Sequence, residues 1–247
     1  VFCPNCAQVH EPDLSQLLNQ TVGDRYKLYR RLGQGGLSTV FAATDLQTDI
    51  VVVVKVSDPA QLVRRELTYA IDAEAARNYW QEMLERMRHE AEALTGIEHT
   101  NIVRLFDTGM IGDDLRFVAM EFLRGRTLRE ELDARGNLEF ADATNIALQL
   151  CDALGEVHAR GIVHRDINPR NVMLDGEAKL IDFGIAKLTE SSSGSLTGSG
   201  EIGTPAYMSP EQAQGNPIDG RSDIYGLGVI VYQMLSGQQP YNADTPM

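Results

Sequence analysis

Three stretches of this 247-residue chain carry residue types and spacings that could do phosphate chemistry. Residues 162–171 read IVHRDINPRN, and His164, Arg165 and Asp166 followed by Asn171 have the pattern of a phosphoryl-transfer loop. Residues 32–40, LGQGGLSTV, nearly fit G-x-G-x-x-G-x-V. Glycines such as Gly33, Gly35 and Gly36 let backbone N–H groups approach phosphates with no side chain in the way, while Ser38 stands where a further glycine is expected. Lys55 follows Val40 by fifteen residues, in a β-branched run at 50–56. An ammonium inside such a strand is costly unless it meets anions. Lys55 either snorkels to water from an edge strand or clamps phosphate beside a helical carboxylate, for which Glu90 is the natural partner.

Cysteines offer a different chemistry. Cys3 and Cys6, in CPNC, could supply half of a tetrahedral zinc site and need two more ligands, with His10 a third at unusual spacing. The pair either binds nothing as the chain stands or is the second half of a zinc ribbon whose first half is missing. An opening Val in place of Met suits a fragment. Cys151, alone in a helical pattern, is expected to be a buried small hydrophobe.

The elements that must position these residues follow from periodicity. Residues 25–41 read as strand, Gly-rich turn and strand, and 50–56 as a buried strand. Residues 61–95 contain no Gly or Pro and read as helix. Further strands are expected at 102–107 and 116–121. Thr127 can cap a helix at 128–134. Residues 140–159 are strongly periodic, with Ile146, Leu150, Leu154 and Val157 on one face and Gly161 just past the end. Short strands are expected near 172–174 and 179–181, a Ser/Gly-rich mobile loop at 190–203 and a buried helix at 222–236.

In order, the chain carries GQGGLSTV, VVVVK, Glu90, HTNIV, HRDINPRN, IDFG, GTPAYMSPE and SDIYGLG. Together these motifs resemble the eukaryotic-type (Hanks-type) serine/threonine protein kinases, most of all the bacterial members, over residues 25 to about 241. The resemblance implies an α+β, two-lobed protein-kinase fold: a β-rich N-lobe with one regulatory helix and a mainly helical C-lobe. It also implies ATP and Mg²⁺ as cofactors, with Mn²⁺ able to stand in, and protein substrates modified on Ser or Thr. Asp166 would orient the substrate hydroxyl and accept its proton, Lys55 would hold the α/β-phosphates and pair with Glu90, and Asn171 and Asp182 would hold the metal. Thr204 would hydrogen-bond the catalytic Asp. Leu32, Gly33, Gly35, Gly36 and Ser38 would cover the phosphates. Val40, Val53 and Met173 would sandwich the adenine, Met120 would guard the pocket behind it, and Glu121 to Leu123 would form the hinge.

Two departures qualify this picture. The family's Lys two residues after the catalytic Asp is Asn168 here, so a transferring phosphoryl group loses a cation. The expectation is an active enzyme, since Lys55, Asp166, Asn171 and Asp182 remain; the alternative is a pseudokinase-like nucleotide-binding or scaffold module. A small-molecule phosphotransferase is disfavoured by GTPAYMSPE. Glu211 matches a Glu that in the family pairs with an Arg far downstream, and the chain stops at Met247, so the C-lobe is expected to be truncated and Glu211 to lack that partner. Arg165 implies a phosphate-binding role toward an activation loop, with Thr197 and Ser199 the expected autophosphorylation sites.

Bulk properties bound the rest. A net charge of −13 argues against nucleic acid as the main partner. The longest apolar run is too short to span a bilayer, no signal peptide is read at the start, and the cysteine usage suits the cytoplasm. The division expected is a tail at 1–24, an N-lobe at 25–120 with a helical insertion at about 57–89, and hinge plus C-lobe at 121–247. The 34 residues between Lys55 and Glu90 are about twice the family's usual number, and the added helix could serve self-association or a regulator.

Overall fold

The structure, a computed structural model, describes residues 14–34, 38–57, 92–112, 115–183 and 205–240. Gly35, Gly36, Glu90, Thr197, Ser199, Thr204, Cys3 and Cys6 lie outside these residues, as do the expected mobile loop and nearly all of the expected helical insertion. The chain divides into two compact units, 1–97 with 104–122 and 98–103 with 123–247.

The first unit is a six-stranded antiparallel sheet. After a 3-10 turn at Leu14–Leu17 come β1 (Thr21–Val22), β2 (Tyr26–Gln34), β3 (Ser38–Asp45), β4 (Ile50–Ser57), β5 (Leu105–Ile111) and β6 (Leu115–Glu121). Their order is β1-β2-β3-β4-β6-β5. Alternation along β3, β4 and β6 sends Phe41, Val52, Val54, Val56, Phe117 and Ala119 to one face, where they join Tyr26 and Leu28 in a core. Each of the Val, Leu and Phe side chains contributes about 1.5–3 kcal/mol on burial. Tyr26 meets Phe117 edge-on, with ring centroids 5.9 Å apart. Asp45 ends β3 in a buried position and takes two bonds from the Arg25 guanidinium, at 2.8 and 2.7 Å. Those bonds, with the Thr48 hydroxyl and the Gln47 amide, hold the Asp45 carboxyl well below the usual range.

In the second unit, β7 (Arg126–Thr127) leads into α1 (Leu128–Arg135), followed by α2 (Phe140–Ala159), β8 (Val172–Asp175), β9 (Glu177–Leu180), α3 (Pro210–Ala213) and α4 (Gly220–Ser236). Thr127 and Glu130 form a capping box on α1. Helix α2 buries Ile146, Leu150, Leu154 and Val157 and packs against α4 and β9.

Three expectations need correction. Cys151 is exposed; it lies about 100° round the helix from Leu150, away from the buried line. The strand expected at 102–107 begins only at Leu105, because Ile102 instead makes a parallel bridge to Leu180 and the Val103 amide donates to the Leu180 carbonyl. The helix at 222–236 is buried on one side only: Ile224, Tyr232 and Leu235 are exposed.

Candidate active site

In the first unit, register sets one group of candidate residues side by side. Val40, Lys55 and Val118 form one cross-strand row of β3, β4 and β6, and Ala42, Val53 and Met120 form the next. Two-residue periodicity puts both rows on the face opposite the core. Ala42 is buried, but Val40, Val53, Lys55, Val118 and Met120 are only half-buried. This apolar, partly open face carrying one ammonium suits a flat ring attached to anions. Strand β4 lies between β3 and β6, so Lys55 is not on an edge strand and the snorkelling alternative loses its premise. Leu32 and Gly33 end β2 in exposed positions, and Ser38 opens β3. Glu121 closes β6, where its carboxylate accepts the Arg104 amide at 2.9 Å and its own amide donates to the Arg104 carbonyl. The two units meet in sequence just beyond it, between Phe122 and Leu123.

In the second unit, another group of candidate residues lies in the loop between α2 and β8. His164 is fully buried, and burial pushes its imidazole pKa below the ordinary value. Its Nε2 faces the Ile181 carbonyl at 3.1 Å, while Nδ1 accepts the Asp166 amide at 3.3 Å. Only the tautomer protonated on Nε2 satisfies both. Phe183 packs against the same ring at a tilt, with ring centroids 4.6 Å apart. Arg165 holds a left-handed backbone (φ 67°), as does Asp182 (φ 63°). Such conformations cost free energy in non-glycine residues and persist where surrounding contacts enforce them. Asp223 supplies those contacts at Arg165: one carboxylate oxygen accepts the His164 amide and the other the Arg165 amide, each at 2.8 Å.

Asp166, Asn168 and Asn171 are brought together. The Asn171 side-chain amide donates to the Asp166 carbonyl and to its carboxylate oxygen, both at 2.9 Å. The Asn168 side chain turns inward: its Nδ2 donates to the Asp166 carbonyl at 3.1 Å and its Oδ1 accepts the Arg170 amide at 3.0 Å. Met173 lies in β8, paired with Thr127 and Lys179.

The residues fit Mg²⁺. Donation by Asn171 Nδ2 to Asp166 leaves Oδ1 as the atom of that side chain that could ligate a hard cation, and Asp182 would supply a carboxylate. One or two such oxygens, completed by phosphates and water, are what Mg²⁺ takes. No group of three or more His, Cys, Asp or Glu suited to a metal exists among the described residues.

Glu211, in α3, has a local partner: the Ser222 hydroxyl donates to its carboxylate. That bond, followed by contributions from its own backbone amide and Ser209, lowers the carboxyl below its ordinary value. Arg165, Asp166, Tyr207, Met208, Gln212 and Gly226 are among the residues that line a small pocket.

A family model described as the protein kinase domain matches residues 26–247. The chain belongs to the protein kinase family. It is similar to a probable serine/threonine-protein kinase PknB of Corynebacterium glutamicum, 38% identical over 91% of the chain and 33% of that protein. It is also similar to the serine/threonine-protein kinase pkn3 of Myxococcus xanthus (35%, covering 95% of the chain and 42% of that protein) and to PrkC of Bacillus subtilis (35%, covering 93% and 33%). The chain thus spans about a third to two-fifths of the length of these relatives. No helix among the described residues is long and apolar enough to cross a membrane.

Sequence reasoning about this kinase passed over three positioning residues. Asp223 was part of a quoted motif without a role; its partners lie 59 and 58 residues away, beyond any local pattern. His158 adds a third bond to the same carboxylate, at 2.8 Å, and packs over Gly220, where an added Cβ would fall 2.7 Å from its Nδ1. Gly125 lies against β8, where a Cβ would meet the Leu174 carbonyl oxygen at 1.7 Å. Its signal was a glycine two residues past the end of the hinge.

Proposed function

We propose that this kinase transfers the γ-phosphoryl group of Mg-ATP to serine or threonine hydroxyls of protein substrates. The observation that carries the reading is the Asn171 clamp on Asp166, which fixes the direction of one carboxylate in a loop whose backbone is anchored by Asp223. A carboxylate so held can accept a hydrogen bond from a substrate hydroxyl and take its proton as the oxygen attacks phosphorus. Lys55, on the half-open face of the first unit, attracts the α/β-phosphates, and Val40, Val53 and Met120 cover the base. Asn171 and Asp182 would hold Mg²⁺, which would supply charge to offset that of the phosphates.

A nearly complete set of phosphate, metal and proton partners supports catalysis over a purely structural role. Asn168 favours a second reading, a nucleotide-binding scaffold with weak turnover, because its amide brings no charge to the phosphates. We further infer that Thr197 and Ser199 are autophosphorylated and that Arg165 pairs with the resulting phosphate. Incubation with γ-labelled ATP, Mg²⁺ and a generic Ser/Thr protein substrate tests the main reading. Label on serine or threonine is expected; a folded protein that binds Mg-ATP and transfers none would support the scaffold instead.

A further inference from the structure

Asn168 occupies the position where the resemblance leads one to expect a charged side chain aimed at the phosphates, yet the residue is only 4% exposed. Its Oδ1 caps the one-turn 3-10 helix Pro169–Asn171 by accepting the Arg170 amide at 3.0 Å. Its Nδ2 reaches back to the Asp166 carbonyl at 3.1 Å, and its own carbonyl accepts the Asn171 amide at 3.0 Å. One residue thereby ties both ends of the segment 166–171. Asn171 stands at the end of the capped turn, and from there its side chain grips the Asp166 carboxylate. A Lys side chain has no acceptor and could not make the cap.

We propose that Asn168 is a positioning residue, which caps the Pro169–Asn171 turn and through it sets Asn171 against Asp166, in place of contacting the transferring phosphate. The inference rests on the kinase reading for its catalytic consequence and on geometry alone for the cap. An N-cap side chain is replaceable by another acceptor: Ser serves nearly as well as Asn, and Ala does not. The Asp166 carbonyl keeps the Asn171 bond when the Asn168 amide is removed, so the cap is the decisive contact.

The test compares Asn168→Ala, Asn168→Ser and Asn168→Thr in the full chain, with two readouts. Amide hydrogen exchange at Arg170 and Asn171, followed by NMR, reports the cap without any turnover. Steady-state kinetics separate kcat from KM for ATP. In Asn168→Ala, exchange at Arg170 is expected to rise about tenfold and kcat to fall by a similar factor, from the typical strength of a cap. KM for ATP should change little, and the Ser and Thr variants should recover both properties. Two results would overturn the proposal: Ser and Thr variants with a protected Arg170 amide but a kcat as low as that of Ala, or an Ala variant with unchanged exchange and unchanged kcat. A wild-type chain that transfers no phosphate, while exchange follows the expected order, would overturn the kinase reading and leave the cap standing.

Discussion

Asp223 lies in the first turn of α4 and holds the backbone of Arg165 from across the fold, its Oδ1 accepting the Arg165 amide at 2.8 Å while its Oδ2 accepts that of His164. The left-handed backbone of Arg165 is thereby fixed one residue before Asp166. Replacing Asp223 with Ala leaves two amides without their acceptor in a buried setting, at about 1–3 kcal/mol each. The expected outcome is a destabilisation of several kcal/mol by chemical denaturation, with Asp223→Asn intermediate because it keeps one acceptor oxygen. An Ala variant as stable as wild type would show that water or another group satisfies the loop.

Gly125 should tolerate no side chain. A Cβ there would sit 1.7 Å from the Leu174 carbonyl oxygen, so β7 must move away from β8, where Met173 pairs with Thr127. Gly125→Ala is expected to cost about 1–3 kcal/mol, the usual range for overpacking. Thermal denaturation should register this as a fall of several degrees in Tm. A rise in KM for ATP alongside it would place Met173 against the nucleotide.

Asn168→Lys sets two effects against each other. The added ammonium near a transferring phosphoryl group could recover part of the factor of about 10²–10³ that one preorganised donor is worth. Loss of the cap costs about 1 kcal/mol. Since the first effect is larger, the expected result is a higher kcat with a Tm lower by a few degrees. Kinetics and calorimetry on the same preparation check both signs.

His164 makes stability depend on pH. Burial lowers its pKa, so the folded chain refuses a proton that the unfolded chain takes up near pH 6.5. The unfolded state therefore binds more protons below that value, and stability must fall as pH drops from about 6.5 toward 5, by at most about 1.4 kcal/mol per pH unit for this one group. Carboxylates such as Glu211, whose pKa is lowered, act at more acidic pH and do not confuse the window. Urea denaturation at several pH values should show the slope, and a His164→Asn variant should flatten it.

These relationships explain which features a sequence can reveal. Helix α2 was readable because Ile146, Leu150, Leu154 and Val157 recur at helical spacing, and the α1 cap because Thr127 stands directly before the helical run; its capping-box partner Glu130 is added by the structure. Cys151 misled because a cysteine among apolar neighbours suggests burial, although its angle on the helix is what decides. The start of β5 was misplaced because the bridge between Ile102 and Leu180 joins residues 78 apart in sequence. The motifs marked Asp166 and Asn171 but not the Asp223 that holds their loop. Asn168 looked like a lost charge; its cap had a local signal, an Asn directly before a Pro that opens a turn, which was outweighed by the comparison with Lys.

Phosphosite mapping tests the kinase reading most directly. Wild-type and Asp166→Asn proteins, both shown to be folded, are incubated with Mg-ATP and digested for mass spectrometry. The account predicts phosphoserine or phosphothreonine in the wild-type chain, with Thr197 or Ser199 among the sites, and none in Asp166→Asn. Equal phosphorylation of both proteins, none in either, or phosphotyrosine as the main product would contradict it.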